Sequence, residues 1–257
     1  MDLIASNISH SFGTLDVLKD VSFRVRSGEV VAIVGPSGCG KSTLLSILGG
    51  LLQPNAGCAE LAGEPPSGSL NPLTFVFQDF ALLPWSTAEQ NVEFPLLHTG
   101  LSNAERRAVV QDALRRTGLS DFANTYPKQL SGGMRQRVGI ARALAVRPAI
   151  LLMDEPLSAL DSQTRELLME DFIRLLADGS MGAAYVTHNL DEAVRLADRI
   201  VVLSRRPGRI REIVSVATPR DRRADADARA RLTALQSELW SLIRDEAIDT
   251  EREVVHG

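Results

Sequence analysis

The segment Gly35-Pro36-Ser37-Gly38-Cys39-Gly40-Lys41-Ser42-Thr43 fits the pattern G-x-x-x-x-G-K-[ST] without deviation. The chemistry of that pattern is phosphate binding. Glycines let backbone N–H groups turn toward one point, and a following helix directs the positive end of its dipole to the same place. Lys41 has the reach for β- and γ-phosphates, and the Ser42 hydroxyl suits a magnesium ion. An apolar run, Val30-Val31-Ala32-Ile33-Val34, leads in, and Leu44, Leu45, Ile47 and Leu48 lead out at helical spacing. A strand, a Gly-rich turn and a helix N-terminus make an anion cradle, so these residues predict a nucleoside triphosphate site. Cys39 lies inside the loop. A thiol reagent is therefore expected to block the site there, and bound nucleotide to protect it.

Further candidates sit where other apolar runs end. Ile150-Leu151-Leu152-Met153 runs into Asp154-Glu155. Beside a phosphate loop, such an Asp holds the shell of a magnesium ion, and the Glu is free to take a proton from an attacking water. Gln78 follows the run 73–77; its amide can touch a metal or orient a water, or it can be a solvated strand end. His188 is one of four histidines and follows a buried-looking run. It could hydrogen-bond a terminal phosphate or the attacking water, or be structural. Leu130-Ser131-Gly132-Gly133-Met134 opens a helix with an N-cap serine and two glycines that expose backbone N–H groups. This is a second anion-binding device. If it lies on a separate lobe, it cannot fold back onto the first loop, and a head-to-tail dimer is the simplest way for each subunit to supply what the other lacks.

The elements that must position these groups are legible as patterns. The runs 30–34, 73–77, 149–153, 183–187 and 200–203 read as buried strands of an α/β sheet, whose carboxyl ends collect ligand groups. Between Phe80 and Arg147 the pattern turns helical. Ser102 and Glu105 form a capping box, Val109, Val110, Ala113 and Leu114 continue toward Gly118, and a second helix runs from Ser131 to Ala145. A further helix is expected from Asp161 to Asp178, with Gly179 as its stop. After Thr218-Pro219, the residues Leu232, Leu235, Leu239 and Ile243 recur at helical spacing. They predict a short amphipathic helix that either packs on the domain's own surface or docks a partner.

Bulk properties narrow the partners. The chain has 257 residues, 44% of them hydrophobic, and a net charge of −4 from 28 basic and 32 acidic side chains. That suits one large domain or two closely packed lobes, and no basic stripe suggests a nucleic-acid track. No apolar run approaches the ~18 residues that a membrane span needs. Met1-Asp2-Leu3-Ile4-Ala5-Ser6 lacks the basic start of a secretory signal. Two cysteines, Cys39 and Cys58, make no disulfide framework. The expected setting is the reducing cytosol, with any membrane contact made through a partner.

Taken in order, the phosphate loop, Gln78, Leu130–Met134 with Arg135-Gln136-Arg137, Leu151–Glu155, Ser158-Ala159-Leu160-Asp161 and Thr187-His188 resemble the ATP-binding cassette ATPases, the motor subunits of ABC transporters. The resemblance covers about residues 3–214. It implies an α/β fold: a P-loop NTPase (RecA-like) core sheet, an N-terminal antiparallel β region and an inserted α-helical subdomain at about 80–147. Residues 1–214 would form the ATPase domain and 215–257 a C-terminal helical extension. It implies that ATP and Mg2+ are bound and that ATP is hydrolysed. By the same resemblance Phe12 stacks on adenine, Ser42 and Gln78 ligate magnesium, and Asp154 holds it through water. Glu155 is the catalytic base, and His188 clamps the γ-phosphate beside Lys41. Ser131, Gly132 and Gly133 complete the site of a second ATPase subunit, and Asp161 couples the two sites. Phe12 stands where Tyr is more usual and Met134 where Gln is commoner; the first keeps the stacking.

The segment Asp79-Phe80-Ala81-Leu82-Leu83-Pro84-Trp85 is the natural contact for a transmembrane permease, with Trp85 either in that contact or in the core of the helical lobe. Gln78-Asp79, Leu82-Leu83-Pro84-Trp85 and Ser204-Arg205-Arg206-Pro207-Gly208-Arg209-Ile210 look like the importers of nitrate, sulfonate and taurine. The Arg205 to Arg209 stretch is otherwise a solvated turn. Such importers imply a peripheral position on the cytoplasmic face of the inner membrane, an extracytoplasmic solute-binding protein as an indirect partner, and no nucleic acid. A large C-terminal regulatory domain, as in the maltose-type importers, is not expected. A non-transport ABC ATPase of DNA repair or translation is the alternative, disfavoured by the missing coiled-coil insertion. A small-molecule kinase or GTPase is disfavoured by the Ser131 segment.

Overall fold

The computed structural model describes residues 1–257 except Ala159, Asp178, Ala224 and Gly257, with side chains of the last helix described through Arg244. The chain opens with β1 (Asp2–Phe12) and β2 (Leu15–Val25), then β3 (Val30–Val34), α1 (Lys41–Leu48), β4 (Ala56–Ala62) and β5 (Leu73–Val76). Three helices follow: α2 (Ala88–Glu93), α3 (Asn103–Arg116) and α4 (Gly132–Ala145). Then come β6 (Ile150–Asp154), α5 (Ser162–Leu176), β7 (Gly182–Val186), α6 (Leu190–Leu196), β8 (Arg199–Leu203), β9 (Ile210–Ser215) and α7 (Ala226–His256).

The strands make two sheets. A six-stranded sheet has the order β5-β6-β7-β3-β8-β9, and a three-stranded antiparallel sheet has the order β2-β1-β4. In the larger sheet β5, β6, β7, β3 and β8 are parallel, with β9 antiparallel at the edge. Residues alternate between its faces, as a pleated strand requires. Val31 and Ile33 of β3, with Ile150 and Leu152 of β6, join α1 and the smaller sheet in one core. Val30, Ala32 and Val34, with Leu151 and Met153, pack against α5, α6 and α7 in another. The result is a layered α/β domain with the main sheet buried on both faces, which is why its strands read as unbroken apolar runs.

The helical lobe has its own core, in which Val92 of α2, Val110 and Leu114 of α3, and Val138 and Ala141 of α4 meet. Its helices begin where sequence chemistry says they should. Thr87 with Gln90 and Ser102 with Glu105 form reciprocal capping boxes, and Ser131 caps α4 by accepting the Met134 N–H at 3.2 Å. Asp161 caps α5 through the N–H groups of Gln163 and Thr164. That helix is described to Leu176; the expected terminal residue, Asp178, lies outside the described residues.

Two expectations change. The C-terminal helix is not short: α7 spans 31 residues. Its choice of surface is also decided, because Leu232 and Leu239 are buried in the core of α5 and α6, with Leu235, Leu242 and Ile243 packed around them. Among the described residues, no helix is long and apolar enough to cross a membrane. Leu239 has no solvent exposure, so Leu239→Ala should lower the unfolding free energy by about 2–5 kcal/mol in a urea titration. A loss near zero would mean that α7 does not share the domain core.

Candidate nucleotide-binding and hydrolysis site

The parallel register brings the candidate groups to one edge. Asp154 lies opposite Val186, Val186 opposite Ile33, and Val76 opposite Met153. The phosphate loop, Asp154-Glu155, Thr187-His188 and Gln78 therefore leave the sheet side by side. Within the loop Ser37 and Gly38 are exposed, and Gly35 and Cys39 are buried. The first turn of α1 has no side-chain cap at Gly40, so the N–H groups around Lys41, Ser42 and Thr43 remain for an anion. Lys41 donates to the carbonyls of Gly35 and Pro36, both at 2.9 Å, and lies 4.0 Å from Cys39 Sγ. Its ammonium is thus pinned along the loop.

The Ser42 hydroxyl donates to Asp154 Oδ1 at 3.1 Å. Burial raises the Asp154 carboxyl above its ordinary pKa; the Ser42 hydrogen bond opposes that, Glu155 adds to it and Lys41 opposes it. A hydroxyl and a carboxylate in contact are hard oxygen donors of the kind magnesium takes. Among the described residues no group of three or more His, Cys, Asp or Glu side chains could hold a metal. A cation here would draw the rest of its shell from phosphate and water, as magnesium does. Gln78 donates through Nε2 to Ser158 Oγ at 3.3 Å, and Ser158 donates to the Glu155 carbonyl at 2.9 Å. Among the described residues no hydrogen bond occupies the Gln78 side-chain oxygen, which suits it to a ligand.

Glu155 has a φ of 43°, a left-handed conformation that costs a non-glycine residue about 1–2 kcal/mol. Such strain persists where the surroundings over-determine the backbone, typically at working sites. The Glu155 N–H is held by the Val186 carbonyl at 3.0 Å. Its side chain is 3.0 Å from His188 Nδ1. A carboxylate only accepts, so Nδ1 carries a proton in this contact, on a largely exposed ring.

Phe12 ends β1 with its ring 54% exposed, and the buried His10 braces it edge-to-face at 4.6 Å. Gly132 opens α4, but Gly133 is buried rather than open. A Cβ there would meet Thr164 Cγ2 at 2.5 Å, so this glycine also serves the packing of α4 on α5. Asp161 is exposed at the cap of α5; its neighbour Ala159 lies outside the described residues.

Sequence reasoning missed several supports. Arg142 of α4 donates to the carbonyls of Phe80 (2.6 Å) and Ala81 (2.7 Å), two successive left-handed residues just past Gln78. Gln136 donates to the Pro156 carbonyl. The turn at Arg205 to Arg209 is not merely solvated. Gly208 exchanges hydrogen bonds with β2, donating to Val17 and accepting from Lys19, and a Cβ on it would stand 2.2 Å from the Cys39 carbonyl. The turn therefore seals the back of the phosphate loop.

A doubly covered parallel sheet with this loop and these strand ends defines a P-loop nucleotide-binding ATPase. A family model described as ABC transporter matches residues 18–158. A Brucella abortus protein named as ATP-binding is 39% identical, over 98% of this chain and 97% of its own. The taurine import ATP-binding protein of Yersinia pestis is 46% identical over 77% of this chain and 78% of its own. The nitrate import ATP-binding protein of Synechococcus elongatus is 40% identical over 92% of this chain and 35% of its own. Among solved structures, an ATP-binding cassette in a dimeric post-hydrolysis state with ADP and Pi is similar at a TM-score of 0.72 and 35% identity, covering 84% of this chain and all of that one. The chain belongs to the ABC transporter ATP-binding family, and its reaction class is ATP hydrolysis.

The expectation for Cys39 does not survive. The thiol is 1% exposed beneath the loop, and burial raises its pKa, with Lys41 opposing. Only its backbone can meet a ligand, and the reactive thiolate is scarce. Brief treatment with iodoacetamide should modify the exposed Cys58 and leave Cys39 intact with or without ATP, as read by peptide mass spectrometry. Equal labelling of both would contradict the burial.

Proposed function

We propose that this protein is the ATP-hydrolysing subunit of an importer for a small solute such as nitrate, taurine or a related sulfonate. It works as a head-to-tail pair, preferably two copies of itself, on the cytoplasmic face of the inner membrane beneath separate permease subunits. An extracytoplasmic solute-binding protein acts on it only through the permease. The observation that carries the reading is the convergence of the phosphate loop, Asp154-Glu155, Gln78 and His188 on one sheet edge. The import roles in the names of the taurine and nitrate relatives support the transport half, and the dimeric cassette supports the pair.

In this reading Phe12 stacks on the adenine. The loop amides and Lys41 hold the β- and γ-phosphates, with Lys41 exchanging a loop carbonyl for a phosphate oxygen. Ser42 and Gln78 would ligate magnesium and Asp154 would hold it through water; the ion neutralises phosphate charge. Glu155 orients a water in line with the γ-phosphate and takes its proton, leaving ADP and inorganic phosphate. His188, held through Nδ1–H by Glu155, donates Nε2–H to the γ-phosphate in its doubly protonated form. The partner's copy of Ser131, Gly132 and Gly133 closes the site, and Asp161 links the two sites.

The permease contact follows from what lies past Gln78. Trp85 is 74% exposed, which removes it from the lobe's core. Nearby, a groove of about 460 Å³ between sheet and lobe is lined by Leu51, Phe77, Leu83 and Phe94. An exposed aromatic beside an apolar groove is the usual anchor of a protein contact. Arg142 ties that groove's wall to α4, so movement of Gln78 with the γ-phosphate reaches it.

Light scattering of Glu155→Gln should give a dimer with ATP and magnesium and a monomer without them. A monomer in both states, with ATP shown to be bound, would overturn the paired site unless the permease restores it. Trp85→Ala should leave ATP affinity and folding unchanged while lowering co-purification with the permease at least about tenfold, the loss of one hot-spot residue. Full retention would move the contact elsewhere.

A further inference from the structure

Glu192 is 4% exposed, and an acidic side chain is rarely buried unless it is paired. It sits in the first turn of α6, where the helix dipole favours negative charge. Its Oε2 accepts from the Tyr185 hydroxyl at 2.7 Å and from the Thr187 hydroxyl at 2.6 Å. Its Oε1 lies 3.9 Å from Arg165 Nε. Each partner leads to a different part of the site. Thr187 precedes His188, and its oxygen also accepts the Asn189 N–H at 3.0 Å, which shapes the turn that carries His188. Arg165, from α5, donates to the carbonyls of Leu160 at 2.7 Å and Leu157 at 3.4 Å. Those carbonyls flank Ser158, which contacts Gln78 and the Glu155 carbonyl.

We propose that Glu192 is a positioning residue that sets two parts of the hydrolysis site from one buried carboxylate: residues 187–189, which carry His188, and the backbone at Leu157 and Leu160, next to Ser158 and Asp161. This rests on the reading of His188 and Glu155 given above. A carboxylate offers only acceptors, so it can take two hydroxyl donors on one oxygen and face a guanidinium with the other. An amide of the same shape carries no charge to offer the guanidinium. If its oxygen meets the hydroxyls, its NH2 faces Arg165; if it is reversed, both hydroxyls must turn to accept and only a neutral oxygen faces Arg165. Glu192→Gln therefore keeps the volume and weakens the simultaneous hold. The network does not touch the phosphate loop, so the loop's own hold on the nucleotide should be spared and the effect should fall on kcat more than on KM.

The test uses the full chain and two readouts. Steady-state ATPase of Glu192→Gln should show kcat lowered about tenfold, the worth of one charge-assisted hydrogen bond, with the KM for ATP within about twofold. Nitrogen-15 spectra of labelled histidine, with His188 assigned from His188→Ala, should show its ring signals moved. A folded Glu192→Gln with unchanged kcat and an unmoved His188 signal overturns the proposal. If that variant does not fold, the two arms are cut singly. Thr187→Val should move the His188 signal, and Arg165→Gln should lower kcat while leaving the signal in place; the same signal for both as for the parent chain again overturns it. Failure of the underlying reading looks different: His188→Ala at full activity would remove His188 from the reaction while leaving the spectral effect of Glu192→Gln intact.

Discussion

The site depends on one constraint, the register in which β3 lies between β7 and β8 while β7 pairs with β6. Parallel strands held by evenly spaced hydrogen bonds must end nearly level. Here Ile33, Val186 and Asp154 are neighbours in a row. A slip of one residue would turn Asp154 and the start of the phosphate loop to opposite faces. Burial on both sides forbids that slip, since Val31 and Ile33 belong to one core and Val30, Ala32 and Val34 to the other. The hydrogen bond from Ser42 to Asp154 and that between Glu155 and His188 follow from this alignment.

The helical lobe has an apolar core of its own, yet a few close contacts fasten it to the sheet beside the candidate site. Gln136 holds the turn after Glu155, Gly133 lets α4 close on Thr164 of α5, and Arg142 holds the backbone past Gln78. Burial lowers the Arg142 pKa, with Asp79 opposing; the cation is retained because two carbonyls face it. Two successive left-handed residues, Phe80 and Ala81, are conformations an unsupported chain would leave. The lobe is thus fastened to the candidate site at three places.

Much of this was legible in the sequence where a residue's local chemistry decides its structure. Buried strands show as apolar runs, and capping boxes announce α3 by Ser102 and Glu105 because their hydrogen bonds span only three residues. The antiparallel region came only through family resemblance. In β1 the alternation is interrupted, with register shifts between Ala5 and Ile8 and on either side of His10, so the period-two pattern survives only in two short pieces, Leu3 with Ala5 and Ile8 with His10. Glu192 reads as an ordinary first-turn acid, since nothing local reveals that Tyr185, Thr187 and Arg165 converge on it. Gly133 reads as an exposed backbone donor until Thr164 is seen against it. Cys39 reads as accessible because the sequence cannot say which way a loop side chain turns.

The seal formed by Gly208 bears on the order in which the molecule can be made. The floor of the phosphate loop is assembled from Val17 and Leu18 near the start of the chain and from Gly208 near its end. β3, which carries the loop, is flanked by β7 and β8, both from the last third of the sequence. Contacts between such distant segments form late, because a long loop must close before they repay its entropy. During synthesis the chain emerges from its N-terminus, so the loop's glycines and lysine exist long before the strands that align them. A nascent subunit therefore carries its most recognisable motif in an inactive form, and gains a nucleotide site only once the cassette is almost entirely translated.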